Sequence, residues 1–228
     1  MPELASFCKI AKLPPIYPIL DTGTLERHNL NPIQAAEAIL EAGAKILQYR
    51  RKTFWSAEAF NQAKQIAELC HQAKAIFIVN DRADYALLLA ELNAGLHLGQ
   101  EDLLPTDART VIGPKPVIGF STHNAAQMEA AITNPIAEAI DYIAYGPIFP
   151  TTTKENPDPT TGLEALRKIR TLTTKPLVAI GGITRQNAPQ CWQAGADSVA
   201  IIADLFPNPC TKRSLRERMS EWHQLTSR

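Results

Sequence analysis

The sequence has no excess of charge of either sign. Its 228 residues contain 23 Lys and Arg against 23 Asp and Glu, so the formal net charge at pH 7 is zero. A chain with no global electrostatic field does not attract polyanions through bulk charge. We therefore expect neither nucleic acid nor an anionic membrane surface as a partner.

Long apolar runs and paired cysteines are also missing. No apolar run approaches the roughly 18 residues of a membrane span, and residues 1–14 lack the apolar core of a signal peptide. The four cysteines form no Cys-x-x-Cys pair, which argues against a zinc site and against a small disulfide framework. These absences predict an unexported, cytoplasmic protein. The cysteines are Cys8, Cys70, Cys191 and Cys210.

Short apolar runs alternate with longer segments of helical period along most of the chain. Strands that alternate with helices form a parallel sheet. Eight repeats in about 190 residues favour closure into a single (β/α)8 TIM barrel, an α/β fold, over an open doubly wound sheet. The eight apolar runs cover 16–20, 45–49, 75–79, 95–98, 116–120, 142–145, 177–180 and 198–202.

Helix ends and domain limits follow from the same pattern. The segment NPIQAAEAILEAG predicts a helix with Asn31 as N-cap, Pro32 in the first turn and Gly43 at the C-terminal end. No linker or shift in composition divides the chain. We predict one domain over 1–228, with an N-terminal extension at 1–14 and a helical tail at 207–228.

Polar clusters follow the predicted strands, where a barrel places its catalytic groups. The longest lies in YGPIFPTTTKENPDPTTG, from Tyr145 to Gly162, whose prolines exclude a helix or a central strand. Loops of this length are lids or binding loops, or else disordered excursions. Because the other strands are also followed by polar clusters, we interpret this segment as a catalytic-face loop that holds an anionic group.

Carboxylates follow two consecutive predicted strands. Asp81 and Asp102 could converge on one cation, and carboxylates with phosphate oxygens and waters are what Mg²⁺ prefers. The alternative is that Asp81 only caps a helix that begins near Arg82. The sequence leaves both interpretations open.

Cations and glycines suggest phosphate contacts. Arg50, Arg51 and Lys52 could meet a phosphate or form a solvated edge. Gly181 and Gly182 would allow a ligand close to the backbone, although two adjacent glycines are weak support.

The sequence predicts different roles for two of the histidines. His97 lies within a strand and is better interpreted as a satisfied core histidine than as a ligand. His123 follows the fifth strand and could act as an acid, a base or a hydrogen-bond donor.

Eight motifs follow one another along the chain: QYRRK, VNDRADYA, GLHLGQEDL, IGFSTHN, YGPIFPTTTK, GLEALRKIR, VAIGGIT and AGADSVAII. In this order and at these separations they resemble the thiamine phosphate synthase family. The match covers nearly all of 17–206, and the combination of Asn-Asp, His-x-Gly-Gln-Glu-Asp and Pro-Thr-x-Thr-Lys is restrictive. The resemblance implies a (β/α)8 barrel that joins 4-amino-2-methyl-5-hydroxymethylpyrimidine diphosphate to thiazole phosphate, two small-molecule substrates, and releases pyrophosphate.

The resemblance also implies roles for single residues. It assigns the pyrimidine diphosphate to one group of side chains, Mg²⁺ to the two carboxylates, and the thiazole phosphate to two threonines and a glycine backbone. Arg50, Ser121 and Lys154 are the expected catalytic groups. The pyrimidine diphosphate group is Gln48, Arg50, Lys52, Asn80, Ser121 and Lys154, the metal ligands are Asp81 and Asp102, and the thiazole phosphate contacts are Thr151, Thr153 and Gly182.

One motif departs from the family pattern. After the eighth strand the family usually has a serine, whereas this chain has Ala203 followed by Asp204. An ionised Asp204 close to a phosphate would repel it. A thiazole tautomerase with His123 at its centre and a noncatalytic binder of thiamine intermediates are the alternatives, and a homo-oligomer is compatible with the sequence. The retained diphosphate and metal set favours the synthase.

Overall fold

The computed structural model describes residues 12–151 and 158–226, and within these ranges the strands form one closed barrel. Every strand pairs in parallel with the strands next to it in sequence, and the last strand pairs with the first. The predicted (β/α)8 barrel is therefore confirmed. The strands are β1 Ile16–Asp21, β2 Ile46–Arg50, β3 Ile76–Asn80, β4 Gly95–Leu98, β5 Ile118–Thr122, β6 Tyr142–Tyr145, β7 Leu177–Ala179 and β8 Ser198–Ile201.

Helices connect the strands on the outside of the barrel. No helix within the described ranges is long and apolar enough to cross a membrane. Short 3₁₀ turns occur at Ala90–Leu92 and Ala203–Leu205. The helices are α1 Thr22–Arg27, α2 Pro32–Glu41, α3 Ala57–Gln72, α4 Ala83–Leu88, α5 Pro105–Ile112, α6 Ala125–Ile132, α7 Ile136–Ala139, α8 Gly162–Leu172, α9 Ala188–Gln193 and α10 Lys212–Gln224.

Local sequence explains where several helices begin. The Asn31 side chain accepts from the backbone N–H groups of Ile33 and Gln34, so it caps α2 as predicted. Ser56 caps α3 in the same way. Gly43, just beyond α2, has a φ of 99°, a conformation that glycine adopts without steric cost.

Four strands end later than their apolar runs predict. The last residues of β1, β2, β3 and β5 are Asp21, Arg50, Asn80 and Thr122, respectively. Backbone pairing continues where the side chains become polar, because parallel ladders need only the main chain. The polar residues therefore project from the carboxyl rim of the barrel, where catalytic groups are expected.

The core has two layers, one between helices and strands and one inside the barrel. Tyr17 and Ile19 of β1 point into the barrel, whereas Leu20 joins the outer layer. Leu13, which precedes β1, packs within the inner layer. The inner cluster consists of Leu13, Tyr17, Ile19, Ile46, Ile78, Tyr142, Ala144, Val178 and Ala200.

Candidate active site

The first cluster at the carboxyl rim joins the ends of β1 and β2. The Asp21 carboxylate forms an ion pair with the Arg50 guanidinium, and the Asp21 side chain is only 8% exposed. It also accepts hydrogen bonds from the Thr24 backbone N–H and hydroxyl, at 2.9 and 2.8 Å. Arg50 is thus held by a residue that the sequence analysis did not identify, although Asp21 follows the first apolar run as the other polar clusters follow theirs.

The neighbouring cations point in different directions. Lys52 Nζ lies 2.5 Å from a carboxylate oxygen of Asp81, across the gap between the ends of β2 and β3. Arg51 instead donates from Nε to the carbonyl of Phe54, at 3.0 Å. Of the three predicted cations, Arg50 and Lys52 face carboxylates of the rim, and Arg51 stabilises its own loop.

Asp81 does not cap a helix. The N-cap of α4 is Arg82, and it makes no side-chain capping bond. Asp81 has a φ of 67°, in the left-handed region that few residues other than glycine adopt, with asparagine and aspartate the commonest exceptions. The helix-cap alternative is therefore wrong, and the Asp81 carboxylate instead accepts from Lys52 Nζ at the rim.

The carboxylates of Asp81 and Asp102 face each other. The pKa of Asp81 is raised to about 6, first by burial and then by the Asp102 carboxyl within hydrogen-bonding reach, while Lys52 partly offsets the rise. Asp102 is itself oriented by the Gly99 N–H, which donates to its Oδ2 at 2.6 Å. Two crowded carboxylates fit a divalent cation, which would neutralise both.

A cation at this pair would depend on ligands from outside the protein. Within the ranges 12–151 and 158–226, no group of three His, Cys, Asp or Glu side chains could hold a metal ion. Mg²⁺ often takes one or two protein carboxylates and completes its shell with waters and substrate phosphates. The two carboxylates therefore fit Mg²⁺ better than a metal with a full protein cage.

Asn80 offers an unused donor beside this pair. Its side-chain Nδ2 is buried and has no hydrogen-bond partner among the described residues. Buried polar groups are nearly always paired, so an exception at a catalytic rim suggests that a ligand supplies the acceptor. The backbone N–H of Arg82 donates to the Asn80 carbonyl, at 2.9 Å, which fixes the end of β3.

A chain of side-chain hydrogen bonds crosses the inside of the barrel. Gln48 Nε2 donates to the Tyr17 hydroxyl at 3.0 Å, and the Tyr17 and Tyr142 hydroxyls are 2.8 Å apart. His97 lies 2.9 Å from Tyr142 through Nδ1 and 2.9 Å from the Ser121 Oγ through Nε2. Two residues with predicted substrate roles, Gln48 and Ser121, are the ends of this chain.

His97 is a buried, satisfied histidine, as the sequence analysis predicted. Burial lowers its pKa to about 4, so its imidazole is neutral near pH 7. His123 lies at the rim, where its Nδ1 donates to the Gly146 carbonyl at 2.7 Å and stands 3.8 Å from Asp158. His123 therefore faces the beginning of the long loop after β6.

The base of that loop is closed by the backbone. Thr161 donates to the Pro147 carbonyl from its N–H and its hydroxyl, at 2.8 and 3.1 Å. The Phe149 N–H donates to the Gly181 carbonyl, at 3.0 Å, and ties the loop to the end of β7. Thr151 belongs to this base, whereas Thr153 and Lys154 lie outside the described residues.

Gly182 occupies a position that no other residue would fit. Its φ is 63°, and a Cβ would lie 2.3 Å from the Pro150 carbonyl oxygen and 2.8 Å from the Phe149 Cβ. The Gly182 carbonyl accepts from Asn187 Nδ2 at 3.0 Å. The loops after β6 and β7 are therefore in direct contact here.

Asp204 is neutralised by a partner. Its carboxylate accepts from Arg185 Nε at 2.9 Å and is 13% exposed, and Arg185 also pairs with Glu221. An isolated anion at this point would repel a phosphate, whereas a paired one has a much weaker field. The departure from the family motif is thus compensated by Arg185, which the sequence analysis did not connect to it.

A closed parallel barrel whose carboxyl rim carries cations, two facing carboxylates and, in the described part of the chain, the unpaired Asn80 donor defines an α/β-barrel enzyme that handles phosphorylated substrates. The family model described as TMP-TENI, thiamine monophosphate synthase, matches residues 16–205. The chain belongs to this family. Its activity is that of a thiamine-phosphate synthase, a transferase of thiamine biosynthesis.

Individual relatives agree with the family match over almost the whole chain. The thiamine-phosphate synthase of Koribacter versatilis is 42% identical over 216 residues, which cover 94% of this chain and 96% of the relative. The thiamine-phosphate synthase of Nitrosococcus oceani is 40% identical over 211 residues, with 92% and 91% covered.

A solved structure extends the comparison to the fold. The thiamine phosphate pyrophosphorylase from Pyrococcus furiosus superposes with a TM-score of 0.77 at 29% identity, covering 93% of this chain and 95% of that one. The expected fold and synthase activity are confirmed by these comparisons. The roles of single residues stay predictions.

Proposed function

We propose that the chain joins 4-amino-2-methyl-5-hydroxymethylpyrimidine diphosphate to thiazole phosphate by a dissociative substitution at the carboxyl rim of the barrel. The bond from the pyrimidine methylene carbon to the diphosphate oxygen breaks, and its electron pair leaves with pyrophosphate. The thiazole nitrogen then donates its lone pair to the methylene carbon. The observation that carries the proposal is the convergence of cations, two facing carboxylates and the Asn80 donor at the ends of consecutive strands.

Arg50 and Lys52 bind the diphosphate in this proposal. Guanidinium and ammonium groups are suited to phosphate oxygens, the first as a planar fork and the second as a point charge. Both are paired with carboxylates, which hold them at the rim. Lys154 and Ser121 add donors at the leaving oxygen, where negative charge grows during bond cleavage.

Asp81 and Asp102 would hold Mg²⁺, and the ion would neutralise charge on the departing pyrophosphate. The closeness of these two carboxylates supports this assignment: burial first, and then the neighbouring Asp102 carboxyl, raise the pKa of Asp81 to about 6. The Gly99 N–H keeps the Asp102 carboxylate turned toward the site.

Gln48 and Asn80 orient the pyrimidine. Gln48 is buried and fixed by Tyr17, and Asn80 presents a donor without a partner in the described part of the chain. On the other side, Thr151, Thr153 and the Gly182 backbone bind the thiazole phosphate. Orientation of two bound reactants removes much of the entropic barrier to their encounter.

Incubation of the purified protein with both substrates and Mg²⁺ tests the proposal. We expect stoichiometric thiamine phosphate and pyrophosphate, and neither product with one substrate omitted. Isomerisation of the thiazole without coupling would instead establish a tautomerase. Binding without any conversion would establish a noncatalytic binder, and either result would overturn the proposal.

A further inference from the structure

The hydrogen-bond chain inside the barrel has a direction. A neutral imidazole has one N–H donor and one acceptor nitrogen, and each tyrosine hydroxyl has a single proton. Gln48 Nε2 can only donate, so Tyr17 accepts from it and its own proton goes to Tyr142. With every partner satisfied, Tyr142 then donates to His97 Nδ1, and the proton of His97 lies on Nε2.

This direction determines what Ser121 can do. The His97 Nε2–H donates to the Ser121 Oγ at 2.9 Å, so the Ser121 hydroxyl proton is left for another acceptor. If the Gln48 amide were turned over, every bond would reverse, and Ser121 would donate its proton to His97. The orientation of one amide thus decides whether Ser121 is a donor toward the site.

We propose that Tyr17, Tyr142 and His97 are positioning residues that fix the Ser121 hydroxyl as a donor to the leaving diphosphate, with Gln48 setting the direction of the chain. The pyrimidine and diphosphate contacts in this inference rest on the proposed function. A 4-amino group on the pyrimidine is a donor, and it favours the Gln48 orientation with the carbonyl facing the substrate and Nε2 facing Tyr17. Recognition of the amino group and activation of Ser121 are then coupled.

The packing of the barrel explains why this chain can form. His97, Gly119 and Tyr142 pair in register across β4, β5 and β6. A Cβ on Gly119 would lie 2.0 Å from the Tyr142 Cζ, so the tyrosine ring occupies the space of the missing side chain. The ring thereby crosses β5 and stacks on His97 with centroids 5.6 Å apart.

Nuclear magnetic resonance of the protein labelled with ¹⁵N-histidine tests the direction without any substrate. We expect His97 to be the Nε2–H tautomer at pH 7, with its signals assigned by their loss in His97→Gln. An Nδ1–H tautomer would overturn the inference. Because this measurement needs no turnover, it is independent of the proposed function.

Two variants and a matched control test the consequence for catalysis. Tyr142→Phe and Tyr17→Phe each interrupt the chain, and we expect kcat for coupling to fall about 10-fold, the scale of lost orienting partners, with a smaller change in KM. Tyr49→Phe removes a buried tyrosine hydroxyl that donates to Gln62 and takes no part in the series of hydrogen bonds from Gln48 to Ser121. This variant should lower stability without the same loss of kcat.

The control separates positioning from folding. If both chain variants retain the kcat of Tyr49→Phe at equal folded fraction, the three residues only stabilise the barrel and the inference is wrong. Tyr17 is farther from Ser121 than Tyr142 is in this series of hydrogen bonds. If Tyr142→Phe does not fold, Tyr17→Phe alone provides the test. Should the wild-type protein fail to couple the substrates, the proposed function fails, whereas the tautomer measurement still decides the direction of the chain.

Discussion

The carboxylate of Asp21 holds the guanidinium of Arg50 across the ends of β1 and β2. Both side chains are mostly buried, and Asp21 also caps α1, so its position is fixed by the helix as well as by the ion pair. A fixed Arg50 loses little side-chain entropy when it binds a diphosphate. We therefore expect Asp21 to act on the substrate through the arginine that it orients.

Replacing Asp21 with Asn should impair the binding of the pyrimidine diphosphate far more than the binding of the thiazole phosphate. We expect kcat/KM for the diphosphate substrate to fall about 10-fold, the scale of a lost orienting partner. Steady-state kinetics with each substrate varied in turn measure the effect. Asp84→Asn is the control, because Asp84 pairs with the exposed Arg82 instead. Equal losses for both substrates would contradict the assignment.

Arg50→Gln and Lys52→Gln should act on the same substrate more directly. Loss of one charged contact to a buried ligand weakens binding by roughly 2 to 5 kcal/mol, much of it at the unpaired partner. We expect KM for the pyrimidine diphosphate to rise strongly and KM for thiazole phosphate to change little. Arg51→Gln offers a matched control, because Arg51 bonds its own loop. If the KM values for both substrates rise equally, the assignment of Arg50 and Lys52 to the diphosphate is wrong.

Chelation should abolish turnover, because in the proposed function Asp81 and Asp102 would hold a divalent cation against the diphosphate. We expect no coupling in excess chelator, with activity restored by Mg²⁺. Undiminished turnover without divalent cations would refute the metal assignment.

Asp81→Asn should inactivate the enzyme and still stabilise the metal-free protein. The raised pKa of Asp81 means that its ionised form is disfavoured in the fold. Removing that charge should contribute about 1 kcal/mol after allowance for Lys52 and solvent, or about 2 to 4 °C in Tm for a chain of this size. Thermal unfolding at pH 7.5 in chelator measures this shift. A lower Tm than wild type would contradict the conclusion that burial and the neighbouring Asp102 disfavour the ionised form of Asp81.

Acid should destabilise the protein through His97. Its pKa is lowered from 6.5 to about 4, so the unfolded chain binds the proton first as the pH falls. The stabilisation of the fold by neutral His97 is fully present above pH 6.5 and is lost as the pH falls to 4. The loss in the free energy of unfolding amounts to at most roughly 3 kcal/mol. Denaturant unfolding of wild type and His97→Gln, compared at several pH values, isolates the contribution of His97 to the free energy of unfolding. The contribution of Asp81 is the same in both proteins and changes with pH in the opposite direction, because its pKa is raised. A difference that does not vary with pH would refute the buried neutral state.

The sequence predicts the barrel because its signal is repeated eight times and needs only local periodicity. It does not predict the ion pair of Asp21 with Arg50, since two residues far apart in sequence meet only through the register of β1 and β2. His97 was recognisable as a core histidine, whereas its partners depend on the space above Gly119. The left-handed backbone of Asp81 likewise does not follow from its residue type alone, and the start of α4 one residue later than a cap at Asp81 would require excludes the helix-cap interpretation.

The loop after β6 is expected to have two functions: Lys154 stabilises the departing pyrophosphate, and Thr151 binds the thiazole phosphate. Variants of these two residues distinguish the functions. Negative charge on the bridging oxygen grows as the bond to the methylene carbon breaks, so a Lys154 ammonium at this oxygen acts more strongly in the transition state than in the ground state. Lys154→Ala should lower the rate of the chemical step by about 100-fold or more, with a smaller effect on substrate binding.

Thr151→Val should behave differently, because a contact to a nonreacting phosphate exists before and during the reaction. It should chiefly raise KM for thiazole phosphate, by about 10-fold for a lost hydrogen bond to a charged group. Single-turnover kinetics separate the chemical step from product release and so distinguish the two variants. If the chemical step of Lys154→Ala is unchanged, this lysine has no part in the departure of pyrophosphate, and the loop whose ends Thr161 and Pro147 join is a lid or a spacer.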